Sequence, residues 1–377
     1  MACIRFCYVA TSAALPTPAI SRIYLPAFTG VRALAAYLVF LHHFNPFRHN
    51  PEWPRLHAWV LEFHIGVPVF FVLSGFLITL RYGQQPVPWR RYMGRRLARI
   101  YPLYFLLCLA TYYAFWRANH FLPHHFFFSL TLTQAFFSDA KYAGIAQAWT
   151  LTVEESFYLL APIAFWLLRR RVPLWVQPFA LLGVGLLLVL MLSPVGAHTY
   201  GFLGSFRLML LFSIFGRGFE FYAGMQLARW YQQGRLRRYQ QPAFLTLLGS
   251  GLIIAALGGM VWTKGGYTYG QEHAFGVALN NVVLPGGIIM LFAGLLTEPT
   301  WLRHLLSTRI FQILGKSSYA FYLIHLGSVR DWLALHLTPH NGLLFIVLNL
   351  LAIGLHYVIE EPLNRWLRPA VAAVRSV

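Results

Sequence analysis

The sequence predicts an all-α, polytopic membrane protein with about ten transmembrane helices. Apolar residues make up 58% of the 377 residues and charged residues only 11%, far below the roughly 25% charged of soluble domains. Apolar runs of about 20 residues, the length that crosses a ~30 Å hydrocarbon core, recur along the whole chain. Basic residues gather after alternate runs, as at Arg90–Arg99 and Arg169–Arg171. That positive-inside pattern places both termini in the cytoplasm. The same distribution accounts for a net charge of +19 without a nucleic-acid partner.

Taken in order, the runs place spans at 27–45, 60–80, 97–116, 150–168, 174–193, 205–229, 243–262, 275–296, 314–333 and 343–361. Residues 1–25 read as a cytoplasmic tail, 26–362 as one membrane domain and 363–377 as a second cytoplasmic tail. A signal peptide is not expected, because the first apolar run is short and interrupted by Pro16 and Pro18. The aromatic-rich stretch His120–Phe137 falls on the outer side, along the interface or re-entering it. Trp301–Leu314, with Arg303 and Arg309, predicts an amphipathic helix on the inner surface. Cys3, Cys7 and Cys108 lack metal-type spacing, so neither a zinc site nor a disulfide framework is expected.

Chemistry concentrates first in span one. Arg32 and His43 are eleven residues apart, three helical turns, so they share a face and lie ~16 Å apart along the axis. His42 points about 100° away. An ionisable group inside a membrane marks a functional site, and imidazole is the commonest general base for a hydroxyl proton. The plainer alternative is a histidine satisfied by a neighbouring helix. In the stretch Trp149–Tyr158, span four enters from outside and puts Glu154 ~8 Å below its first residue, at the depth of His43. A carboxylate there would orient the imidazole, while one of Glu154 and Glu155 is expected to face water. Ser74 and Gly75 permit close helix contact. Arg96 and Arg99 share a face at the cytoplasmic end of span three. They suit either a phosphorylated ligand or lipid headgroups. Arg217 and Glu220 form an i,i+3 ion pair that reads as structural. Tyr319 and His325 fall in span nine, His325 midway, and Glu360 near the inner end of span ten.

Together these blocks resemble the integral-membrane acyltransferases of acyltransferase family 3, the O-antigen acetylase type. The matching signatures are Arg32 and His43 with ten residues between them, Phe70–Phe76, and Arg-x-x-Arg-Ile-Tyr-Pro at Arg96–Pro102. Trp149–Tyr158, Gly315–His325 and Ile359–Pro362 complete the set, in the family's order. The resemblance implies an acyl-CoA donor arriving from the cytoplasm, with no permanently bound cofactor. It implies an acceptor hydroxyl on a carbohydrate, such as an exopolysaccharide, O-antigen or other glycan, arriving from the other side of a bacterial inner membrane. Carried over by residue, His43 is catalytic, Arg32 its motif partner, and Glu154 a support to the active site. Arg96 and Arg99 hold the CoA phosphates; Ser74 and Tyr101 join the donor-site candidates. Glu155, Trp149, His325, Tyr319 and Glu360 are further candidates, and no metal is expected. One departure is Pro68, where many relatives carry an acidic residue. The family's optional C-terminal esterase-like domain has no counterpart in this sequence, so transfer without a relay is expected. The competing class is a multi-pass transporter or flippase, whose pathways also use membrane ionisable residues.

Overall fold

The computed structural model describes residues 24–84, 88–238 and 242–367. Most of both expected tails, with Cys3 and Cys7, lies outside the described residues. Every regular element among the described residues is helical, apart from one isolated bridge between Phe137 and Phe202. The helices are α1 Pro26–His43, α2 Pro54–Leu61, α3 Gly66–Tyr82, α4 Trp89–Arg117, α5 Pro123–Leu130, α6 Trp149–Arg169 and α7 Val176–Leu192. They continue with α8 Phe206–Phe212, α9 Ile214–Gln232, α10 Phe244–Thr263, α11 Ala274–Ala278, α12 Leu284–Thr297 and α13 Trp301–Leu306. The last are α14 Arg309–Ile324, α15 Ser328–His336, α16 Asn341–Leu355 and α17 Glu361–Leu367.

Seven helical stretches among the described residues are long and apolar enough to cross a membrane: Pro54–Tyr82, Trp89–Arg117, Ala146–Arg169, Val176–Gly196, Phe244–Thr263, Ala274–Thr297 and Asn341–Leu367. They coincide with seven of the expected spans. The other three, 27–45, 205–229 and 314–333, are helical but polar or broken. Helix α1 is continuous, yet Arg32, His42 and His43 interrupt its apolar character. The 205–229 segment breaks at Ser213, whose backbone is extended (φ −125°, ψ 161°). Its hydroxyl donates to Met209 O at 2.6 Å and accepts from Phe215 N at 3.3 Å, closing α8 and opening α9. The 314–333 segment breaks after Ile324, and Gly327 takes φ +79°, a left-handed value that glycine adopts without a Cβ penalty. His325 therefore sits at the C-terminal cap of α14 rather than midway along a span. The amphipathic helix expected at Trp301–Leu314 is also divided. Thr300 caps α13 by accepting from Arg303 N at 3.3 Å, and α14 begins anew at Arg309.

These three polar segments are the ones packed inside. Helix α1 lies against α14 and α3, and α3 against α9. The α3–α9 contact is a glycine contact, as Ser74-Gly75 implied. A Cβ on Gly75 would fall 2.0 Å from Phe221 O, and one on Gly224 2.0 Å from Val72 O. Small residues at helix crossings let backbones approach where lipid supplies no hydrophobic drive. Within this centre Arg217 and Glu220 pair at 2.8 Å, as expected, with the guanidinium over the Phe71 ring. Both are fully buried, at 1% and 0% exposure.

Candidate functional site

The central helices enclose two cavities that share one wall. The first is a narrow slot of about 80 Å³ lined by Arg32, Ser74, Arg96, Arg99, Glu154, Tyr158 and Tyr319, among apolar neighbours. The second is roomier, about 610 Å³, and its lining includes His42, His43, His64, Lys141, Trp149, Arg207, Tyr269 and Glu272. Val67 and Tyr322 line both, and so separate them. Helix α1 therefore presents Arg32 to one cavity and His43 to the other. This is the shared face read from their spacing.

In the slot, Arg96 is the most enclosed cation, at 7% exposure. Its guanidinium lies between the rings of Tyr82 and Tyr158, at 5.8 and 5.4 Å from their centroids. Desolvated guanidinium–aromatic contacts of this kind are worth up to about 2 kcal/mol, and they fix the orientation of a group whose Nε has no hydrogen-bond partner among the described residues. Arg99, three residues on, faces the same slot. Glu154 Oε1 accepts from Ser74 Oγ at 2.5 Å and from the Tyr158 hydroxyl. Ser74 is thus more than a packing residue. Tyr319 lines the slot too, its hydroxyl donating to Ile100 O at 2.6 Å.

His43 takes its partner from a different place than the sequence suggested. Its Nδ1 lies 3.2 Å from Nε2 of His325, and His325 Nδ1 lies 2.8 Å from Tyr322 O. A carbonyl only accepts, so His325 carries its proton on Nδ1 and, when neutral, offers a lone pair at Nε2. His43 must then carry its proton on Nδ1, which leaves its Nε2 lone pair free. Gln147 completes the arrangement by donating to Tyr322 O at 3.0 Å and Leu323 O at 2.7 Å, pinning the end of α14. Glu154, expected beside His43, is instead engaged with Ser74 and Tyr158 on the slot side. Helix rise fixes only depth, and the azimuth that separates the two cavities is set by tertiary packing.

Other candidates scatter. Tyr101 is not in the slot; its hydroxyl donates to Leu130 O and its ring stacks on Phe105. Glu155 is buried rather than facing water, and its Oε1 has no hydrogen-bond partner among the described residues. Glu360 is bound to His356 Nδ1 at 2.9 Å in a π-helical turn. Trp149 lines the larger cavity, edge-on to Phe212. His42 was expected to face away, yet it lines the same cavity as His43, its Nδ1 held 2.6 Å from Leu61 O. Sequence reasoning missed Lys141 and the Arg207–Glu272 ion pair. The available signal was an acidic residue in a loop otherwise poor in charge.

Comparison with known proteins follows the same lines. The acyltransferase domain family matches residues 25–360. Peptidoglycan O-acetyltransferase OatA of Listeria monocytogenes is 26% identical over 332 residues, covering 81% of this chain and 49% of its own length. O-acetyltransferase OatA of Staphylococcus aureus is 27% identical over 168 residues, 39% of this chain and 26% of its own. The chain thus spans half the length of these relatives or less. No solved structure matches it. With the family's domain running from the start of α1 into the last apolar stretch, the chain belongs to this acyltransferase family and is an integral, multi-pass membrane protein.

Proposed function

We propose that the protein is an O-acyltransferase that moves an acetyl or similarly short acyl group from acyl-CoA to a carbohydrate hydroxyl across the Val67–Tyr322 wall. The observation that carries this reading is the pair of cavities sharing that wall, one lined by arginines and the other by a histidine with a free Nε2. Arg96 and Arg99 suit the phosphates of CoA, because guanidinium forks bind phosphate oxygens in pairs. The slot's volume favours a short acyl group, since it is smaller than the ~150 Å³ cavity that holds benzene. The larger cavity mixes aromatic rings with charged and amide groups, which suits a sugar. The relatives named as O-acetyltransferases, one of them a peptidoglycan O-acetyltransferase, make an envelope glycan the first acceptor to try.

In this reading the acceptor hydroxyl gives its proton to His43 Nε2 while its oxygen attacks the thioester carbonyl. The carbon–sulfur bond then breaks, and the departing CoA thiolate takes the proton from His43. His325 holds the imidazole in the required tautomer, and no covalent enzyme intermediate is needed. Both termini and the arginine-lined slot face the cytoplasm, about ten segments cross a bacterial inner membrane, and the histidine cavity opens on the other side. Acyl-CoA-independent substrate flux in vesicles would favour the transport alternative instead.

The test is thermal stability of the detergent-purified protein with acetyl-CoA, CoA and an unrelated nucleotide. A ligand that binds only the folded state adds RT ln(1 + [L]/Kd), about 2.7 kcal/mol at a hundredfold excess. CoA species should stabilise the wild type and Arg96→Ala much less. No stabilisation at millimolar acetyl-CoA would sink the donor assignment.

A further inference from the structure

Outside the two cavities, a second cluster of potential ligands stands near the rim of the larger one. His124 and His125 open α5, and Asp139 lies in the following loop. Both Nε2 atoms lie 3.1 Å from the same carboxylate oxygen, Asp139 Oδ2. The three ligand atoms all fall within 4.8 Å of one another. The spacing is informative. Zinc bonds of about 2.0–2.2 Å to imidazole nitrogen and carboxylate oxygen, set at the tetrahedral angle, give neighbouring ligand atoms an edge of roughly 3.3–3.6 Å. The two nitrogen–oxygen separations here, 3.1 Å each, have the length of hydrogen bonds and need open by only a few tenths of an ångström to reach that edge.

The surroundings favour a held site over a chance meeting of side chains. Three separate segments meet there. The His124 ring stacks on Tyr200 at 4.6 Å between centroids and 19° between planes, which fixes its orientation. Asp139 N donates to Tyr200 O at 3.4 Å, and Ser138 N to Gly201 O at 3.3 Å, which positions the carboxylate from below. Without a metal, each neutral imidazole can donate its Nε2–H to Asp139 Oδ2; with the protons on Nδ1 instead, the same three atoms make a donor set of two nitrogens and one oxygen. With three protein ligands, a fourth position is left to water. Imidazole with carboxylate selects a borderline divalent transition metal over magnesium or calcium, which take oxygen ligands.

We infer that His124, His125 and Asp139 form a binding site for one divalent transition-metal ion of the zinc type, tying α5 to the loop that carries Ser138, Lys141 and Tyr142 into the larger cavity. The cysteine spacing that argued against zinc is silent on this site, because it uses no cysteine and gathers ligands 14 and 15 residues apart. Metal binding here does not depend on the acyl-transfer reading.

The experiment uses full-length, tag-free protein in detergent, stripped with EDTA and then given Zn²⁺. Bound metal is measured by mass spectrometry after removal of excess, alongside the unfolding temperature. The expected result is one zinc per chain, a rise in unfolding temperature and its reversal by EDTA. His124→Gln and His125→Gln, singly and together, should lose the retained zinc and the rise. Asp139→Asn should weaken binding tenfold or more, and His43→Ala should keep both. Both histidines are only half-buried and a glutamine is of similar size, so the single variants carry the test if the double variant does not purify. Wild type that retains no zinc, or variants that retain it as wild type does, would overturn the site.

Discussion

The contact between His43 and His325 supports a quantitative prediction. Replacing His325 with Phe keeps a buried ring of similar size but removes the side-chain acceptor for His43 Nδ1–H, leaving the imidazole its backbone contact with Val39. Tyr322 O keeps its Gln147 donor, so the principal loss is one hydrogen bond on the proposed base. A buried donor left without a partner costs about 1–3 kcal/mol. Expressed in the transition state, where the imidazole must be held in one tautomer, that is a fall in kcat of about 5- to 150-fold at 1.36 kcal/mol per decade. His43→Ala should cost more, about 10²–10⁴-fold, the usual worth of a general base. The assay is acetyl-CoA-dependent release of CoA thiol in the presence of glycan acceptor, with unfolding temperature and acetyl-CoA binding measured on the same preparations. His325→Asn, whose amide oxygen can still accept from Nδ1–H, should recover part of the loss. Wild-type kcat in His325→Phe would refute the reasoning, as would a loss wholly accounted for by weaker acetyl-CoA binding.

Three further outcomes follow from the geometry. Arg96→Lys should bind acetyl-CoA several-fold more weakly than wild type, because an ammonium cannot fill the plane between Tyr82 and Tyr158; equal stabilisation of both by acetyl-CoA would count against the clamp. Glu220→Ala strands the Arg217 guanidinium in the interior and should cost about 3–5 kcal/mol, read as a marked drop in unfolding temperature; an unchanged temperature would mean the pair is not buried as described. Gly75→Val places carbon against Phe221 O, where even a Cβ would sit at 2.0 Å. It should destabilise the α3–α9 contact by at least the 1–3 kcal/mol of an overpacked core, whereas Gly251→Ala, with open space around its Cβ, should be silent in the same melt.

Composition and charge pattern carried the helical membrane architecture, and motif order carried the family. The spacing of Arg32 and His43 on one helix face was readable because helix periodicity is local physics. What failed to show was any fact that depends on which helices touch. Glu154 has the right depth to meet His43, but its azimuth on α6 turns it to Ser74 and Tyr158. His325 looked like a mid-span residue because a run of apolar and aromatic residues precedes it, although Gly327, Ser328, Arg330 and Asp331 soon follow; the break depends on Gly327 adopting φ +79°. Tyr101 belongs to a signature block, yet α4 turns it toward Leu130. The three segments that fall short of apolar spans, 27–45, 205–229 and 314–333, pack in the interior together with α3. Their charges are solvated by neighbouring helices, and hydropathy along a single chain does not record neighbours.

Helix α1 has a consequence as a ruler. One unbroken rod carries Arg32 into the slot and His43 into the larger cavity, so the distance and angle between the two compartments are set by backbone hydrogen bonds rather than by flexible side chains. A single residue added between positions 32 and 43 would turn one end against the other by about 100° and lengthen the rod by 1.5 Å. Each compartment would keep its remaining walls while the two lost their common phase. A point substitution between these positions changes packing or, at Tyr37, a hydrogen bond to Asn349, whereas an added residue changes the phase of the whole rod. Under the proposed transfer, in which the two chambers act on one bond, length along this helix is itself a functional property.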